Sequence, residues 1–182
     1  MKKLDLVSMA AASLFLVLAG CATAPRTEAR RDDLKAASLD AVRQMKSDDP
    51  TLDAHFLAKS HGYVVFPDVG KGAYIVGGSY GRGIVYRRGV AIGYADISQA
   101  SVGFQAGGQV FMELIAFEGA DDLQRFTAGK LSITANLSVV LLKTGAAASA
   151  KYTEGVAVFV KPIGGAMVEA SIGGQQFTYQ AL

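Results

Sequence analysis

Apolar and polar positions alternate along this chain in three distinct ways. Residues 6–19 are apolar apart from Ser8 and Ser13, and they follow Lys2 and Lys3. From residue 28 the spacing becomes helical, with Leu34, Ala37, Ala41 and Met45 on one stripe and Val42 beside it. Asp48-Asp49-Pro50 predicts an end and a new start, because Asp suits the position before a helix and Pro its first turn. The second helix is expected to reach about Ser60 with Leu52, Phe56 and Leu57 facing inward. Beyond Gly62 the runs shorten and become β-branched and aromatic. Strands are predicted at 63–66, 73–76, 84–86, 90–97, 101–105 and 108–117, and again at 131–142. Residues 120–128 form a predicted short helix, with Asp121 and Asp122 in its first turn and Gly129 past its end. Residues 144–151 read as a loop of small residues.

Glycine punctuates the stretch FPDVGKGAYIVGGSYGRGIVY, residues 66–86. Phe66-Pro67 predicts a corner, and Gly70-Lys71-Gly72, Gly77-Gly78 and Gly81-Arg82-Gly83 predict tight turns between strands. The same grammar returns near the C-terminus. Residues 62–86 set against 155–179 without a gap pair Val65 with Val158, Phe66 with Phe159, Gly72 with Gly165 and Tyr86 with Tyr179. Two copies are too few for a solenoid, which needs about three. The pattern therefore predicts an α+β domain, with N-terminal helices packed on an antiparallel, strand-rich, partly barrelled sheet that contains a two-copy internal hairpin repeat.

The apolar run at 6–19 is shorter than the roughly 20 residues of a membrane span and has the charged start of a secretory signal. Leu18-Ala19-Gly20-Cys21 has the form of a bacterial lipobox. Residues 1–20 are then a signal peptide and 21–29 a lipidated N-terminus and tether. Cys21 would carry a diacylglycerol on its thiol and an acyl chain, such as palmitate, on its new amine. It is the only cysteine, so no disulfide forms within the chain. Several acyl chains make a stable anchor where one is marginal. Ala22 in place of an inner-membrane-retaining Asp favours the outer membrane, with the domain facing the periplasm.

Charge narrows the partners. Without residues 1–20, 16 basic side chains face 15 acidic ones, so no bulk attraction to nucleic acid exists and any anion must meet a local patch. Catalytic and metal patterns do not assemble. Gly77-Gly78-Ser79-Tyr80-Gly81 spells G-x-S-x-G, but that elbow needs a strand-to-helix turn and a later His, and both His55 and His61 precede it. Two His six residues apart make no metal set, and Gly70-Lys71-Gly72 lacks the P-loop frame. The expectation is a non-catalytic protein without metal or cofactor. Lys71 and Arg82 in Gly-rich turns, with Arg87 and Arg88 at the next turn, are the candidate anion holders.

Taken whole, residues 66–85 together with GFQAGGQVFME (103–113) and LSITANLSVV (131–140) resemble the SYLF domain family, a lipid-binding module. The resemblance covers roughly residues 30–182. It implies binding of phospholipid, or of phosphoinositide-like anionic head groups, with Lys71 at the family's usual lysine. His61 stands where the family usually has a lysine, in Ser60-His61-Gly62 against Ala-Lys-Gly, and the family's frequent Trp is absent, with Tyr94 near its place. Some relatives associate with actin. The alternative expectation is therefore a structural protein that binds an envelope protein partner.

Overall fold

The computed structural model describes residues 23–72, 76–102, 109–133, 139–164 and 174–182, and at 71, 72, 76–78, 100–102, 109 and 164 it describes the backbone alone. The signal peptide and Cys21 therefore lie outside the described residues, as do the core of the predicted 73–76 strand, the second half of 101–105 and the middle of the second repeat copy.

A 21-residue helix, α1 (Glu28–Asp48), opens the domain and is capped by the Thr27 hydroxyl, which accepts from the Arg30 N–H. One π-helical turn, Asp53–Leu57, follows. Strands β1 (Gly62–Gly72), β2 (Val76–Arg87), β3 (Val90–Val102) and β4 (Gln109–Phe117) come next, then helix α2 (Ala120–Thr127). Short strands β5 (Ser132–Ile133) and β6 (Val139–Leu141), helix α3 (Ala146–Ser149), and strands β7 (Val156–Gly164) and β8 (Gln175–Ala181) complete it. The eight described strands form one sheet in the order β5-β8-β3-β2-β1-β4-β7-β6. Every pairing is antiparallel except β6 with β7, so the sheet is mixed rather than purely antiparallel.

The sheet curls into a half-barrel. In a flat sheet β8 and β1 would stand three spacings apart, about 14 Å. The rings of Phe177 and Phe66 are nevertheless 6.1 Å apart. Gln175 of β8 and Glu113 of β4, four spacings apart, share a hydrogen bond of 2.9 Å. Both contacts cross the concave side. There Phe66, Phe117, Phe126 and Phe177 form the centre of one buried cluster, which takes Leu123 and Phe126 from α2. On the convex side Ala41 and Met45 of α1, Leu52 and Phe56 share a second cluster with Val65, Ile84, Leu114 and Phe159.

Several predicted turns are strand interior. Gly70-Lys71-Gly72 ends β1, with Gly70 and Lys71 paired on both sides and Lys71 opposite Ser79 and Gln109. Gly77-Gly78 and Gly81-Arg82-Gly83 lie inside β2. Gly81 and Gly83 make room rather than turn the chain. A Cβ on Gly83 would come 2.7 Å from Phe66 Cδ1, so the bare backbone lets that ring lie over β2 towards Phe177. Phe66-Pro67 is not a corner either. The pairings Val65–Ile84 and Asp68–Arg82 put one extra residue on β1, a bulge that accommodates the proline without ending the strand. The true turn is Arg88-Gly89, both at positive φ (48° and 81°), which joins β2 to β3 in the two-residue form favoured by hairpins.

The repeat is not a pair of equivalent hairpins. β1 and β2 are neighbours, whereas β7 and β8 lie on opposite sides of the central strands. Phe66 packs on the concave side and Phe159 on the convex side against Phe56, which in turn meets Tyr152. Register explains this. Leu114 of β4 sits opposite both Val65 and Phe159, so the residue that shares a face with Phe159 is Val65, one position away from Phe66.

The expected tether is also corrected in part. Thr23 and Ala24 are buried; the Thr23 hydroxyl meets that of Thr178 at 3.0 Å, and the Ala24 N–H donates to Gln180 Oε1 at 3.1 Å. Residues 23 and 24 of the segment read as a tether are thus held by β8, because Thr178 and Gln180 offer partners that a local sequence pattern does not reveal.

Candidate functional site

The cations singled out in the sequence do not form one cluster. His61 and Arg87–Arg88 lie at one end of the β1–β2 pair, where Gly62 faces Arg87, and Lys71 at the other. Nine residue steps of strand separate Gly62 from Lys71, about 30 Å at strand rise.

Arg82 is a strand residue between these ends, opposite Asp68 and Asp96. Its Nε donates to Tyr80 Oη at 2.9 Å and to Asp96 Oδ1 at 3.2 Å, and the Tyr80 hydroxyl donates to the same carboxylate oxygen at 3.1 Å. The Asp96 side chain is only 10% exposed. Burial pushes its carboxyl up, against the opposing pull of the Tyr80 hydroxyl and the Arg82 guanidinium. Arg82 is therefore engaged in a charge pair rather than displayed on a turn. Strand pairing places Asp96 beside it, a neighbour fourteen residues away in sequence.

His61 and Arg88 do share a site. They line one open cleft of about 550 Å³ with Lys59, Ser60, Tyr63, Gly89 and Glu118. Each wall has a local cause. The chain leaves the π-helical turn through Lys59 and Ser60, whose N–H groups both donate to the Phe56 carbonyl. The His61 N–H donates to the Phe117 carbonyl at 2.9 Å, which fixes the start of β1 beside β4. Opposite, the Arg88-Gly89 turn presents Arg88 from a left-handed backbone. Tyr63 forms the floor, stacked on Tyr86 with ring centroids 5.0 Å apart. Burial and the neighbouring Tyr63 push the Tyr86 hydroxyl up to about 12, and burial with the Asp53 charge raises Tyr63. The cleft thus combines Lys59, Arg88 and a histidine with an aromatic floor and one carboxylate at Glu118. Such an arrangement can hold an anion by charge-assisted hydrogen bonds. Arg87 is exposed on the same hairpin, outside the cleft lining.

Two residues escaped sequence reasoning. Lys59 was legible as a third basic side chain two residues from His61. Glu113 was legible as the lone carboxylate of QVFMELIAF, on the face of Phe111, Ile115 and Phe117. It is fully buried and accepts from Gln175 Nε2, while its Oε1 has no partner. Ser79, the serine of the G-x-S-x-G spelling, is a buried strand residue whose hydroxyl donates to Gln99 Oε1 at 3.1 Å. Among the described residues no three His, Cys, Asp or Glu side chains gather as metal ligands would. No protein-family model and no curated protein matches this chain.

Proposed function

We propose that this chain is an outer-membrane lipoprotein, anchored through Cys21, whose SYLF-like domain binds anionic phospholipid head groups without catalysis. The observation that carries the reading is the convergence of Lys59, His61 and Arg88 around one open cleft with an aromatic floor. A phosphate would sit between the Lys59 ammonium and the Arg88 guanidinium, with the rings of Tyr63 and His61 beside the glycerol. In this reading α1 and the π-helical turn are the helical cover of the family's sheet, and Lys71 and Arg82 are secondary to the cleft. The near-zero net charge supports a local rather than a global attraction.

The test is co-sedimentation of the unlipidated chain from residue 22 with phosphatidylglycerol vesicles. Lys59→Gln with Arg88→Asn should weaken binding roughly tenfold or more, since each basic residue near an anionic surface contributes about 1 kcal/mol. The fold is retained, because Lys59 is exposed and Asn tolerates the left-handed turn position better than most residues. Added salt weakens the wild type in the same direction. A wild-type chain that ignores anionic vesicles would sink the lipid reading and leave an envelope protein partner in its place.

A further inference from the structure

Only Ala22 stands between Cys21 and the hydrogen-bonded Thr23. Two residue steps of fully extended chain span at most about 7 Å. The attachment point of whatever Cys21 carries therefore stays within that reach of Thr23. That neighbourhood is defined by the sheet. Thr178, Asp96, Arg82 and Asp68 are successive partners across β8, β3, β2 and β1, and the Thr23 hydroxyl bonds that of Thr178.

Beside this row lies a shallow groove of about 500 Å³ between α1 and the β1–β2 pair. Its lining is mostly apolar, with Leu34, Ala37, Pro67 and Tyr80 along it and the charged Asp33, Asp68 and Arg82 at its edge. Tyr80 is 50% exposed, and its hydroxyl is held by Arg82 and Asp96, so an apolar ring is presented with its polar tip fixed. Arg26 and Arg30 are exposed at the start of α1, within nine residues of Cys21. An aromatic ring with a polar end, an apolar groove and flanking arginines is the chemistry that suits a bilayer's interfacial zone.

We infer that this face is the domain's membrane-contact surface, seated on the leaflet that carries the acylated Cys21. The inference rests on the lipoprotein reading and adds an orientation to it. With residues 23 and 24 bonded to β8, the domain does not swing on a tether; it is held with Tyr80, the groove and the first turn of α1 against lipid. The head-group cleft is a separate feature, about 17 Å further along β2, five residues from Arg82 to Arg87. The opposite end of α1, where the Thr144 hydroxyl donates to the Asp48 carbonyl, is about 31 Å from the helix start and is carried away from the bilayer.

Depth-dependent quenching tests this on the mature, lipidated protein in vesicles that contain a spin-labelled lipid. The diacylglyceryl thioether consumes the only native thiol, so a single introduced cysteine takes the fluorophore. Ser98→Cys, exposed on β3 two residues beyond Asp96, should be quenched. Lys143→Cys, exposed beside the far end of α1, should keep its unquenched intensity. Ten Gly/Ser residues inserted between Ala22 and Thr23 add a flexible reach of about 17 Å and should bring the Ser98→Cys signal towards that of Lys143→Cys. Equal quenching at the two positions, or none at either, with intact mass showing an acylated Cys21, overturns the orientation and leaves the anchor reading standing. An unmodified Cys21 in that mass overturns both.

Discussion

Replacing Glu113 with glutamine should make the domain's stability less dependent on pH and raise it at pH 8. The carboxyl is fully buried, and its Cα partners are Phe66 on β1 and Val160 on β7. Burial pushes it up to about 8, only partly opposed by the Gln175 N–H that favours the charged form. No described basic side chain pairs with it. Between the ordinary value of 4.5 and about 8, the folded chain keeps a proton that the unfolded chain has released. Its contribution is therefore whole below about pH 4.5 and is lost progressively as pH rises through about 8. At about 1.36 kcal/mol for each pH unit of that gap, the ceiling is on the order of 5 kcal/mol. The amide of Glu113→Gln removes the titration. It also supplies an N–H within reach of Gln175 Oε1, which has no partner in the wild type. Urea unfolding at pH 5 and pH 8, followed by far-ultraviolet circular dichroism, measures the effect. The wild-type midpoint should fall between the two pH values, and the variant's should fall much less, with the urea dependence unchanged. Equal pH dependence in both proteins would refute the reasoning, since it would mean that Glu113 is ionised and compensated in the folded state.

Phe66→Ala and Phe159→Ala should each cost roughly 3–5 kcal/mol of unfolding free energy, as large core truncations do. Because the two rings lie on opposite faces of the sheet, the double variant should be additive within about 0.5 kcal/mol; coupling well above that would place them in one cluster. Asp49→Ala should cost about 2–4 kcal/mol, because the buried carboxylate accepts from the Thr51, Gly145 and Ala147 N–H groups and ties the end of α1 to α3. Burial raises that carboxyl, and the hydrogen bonds from Ala147, Thr51 and Gly145 outweigh it and hold it below its ordinary value. The stabilisation should therefore be present near neutral pH and lost as pH falls below about 4, which acid unfolding of wild type against variant will reveal. Cys21→Ser should leave an unprocessed or detergent-insensitive form, read by intact mass and detergent partitioning.

Local pattern carried much of this protein. The helical stripe over α1, the short helix at Ala120–Thr127 with its Asp-rich first turn, the Arg88-Gly89 turn and the preponderance of strand all follow from spacing and capping chemistry within a few residues. The stripe erred only where tertiary contact intervened: Ala37 lines the exposed groove and Ser38 is buried in its place. The cleft was half legible, since His61 and Arg88 were chosen for their positions but their sharing a site depends on β1 pairing with β2.

What only the tertiary structure decided is which neighbours the strands bring. Glycine marks a turn and a close approach equally well, so Gly83 became intelligible once Phe66 was seen lying over it, and Gly81 once the Asp68 carbonyl and Val69 were seen against it. A gapless match between two Gly-rich stretches fits either face of a strand, and a shift of one residue moves Phe66 and Phe159 to opposite sides. Arg82 could not be told from a displayed cation until β3 set Asp96 against it. Thr23 could not be told from a tether until β8 supplied Thr178. Each of these is a contact between residues far apart in the chain. Periodicity says which face a residue presents, and only the curled sheet says what stands opposite it.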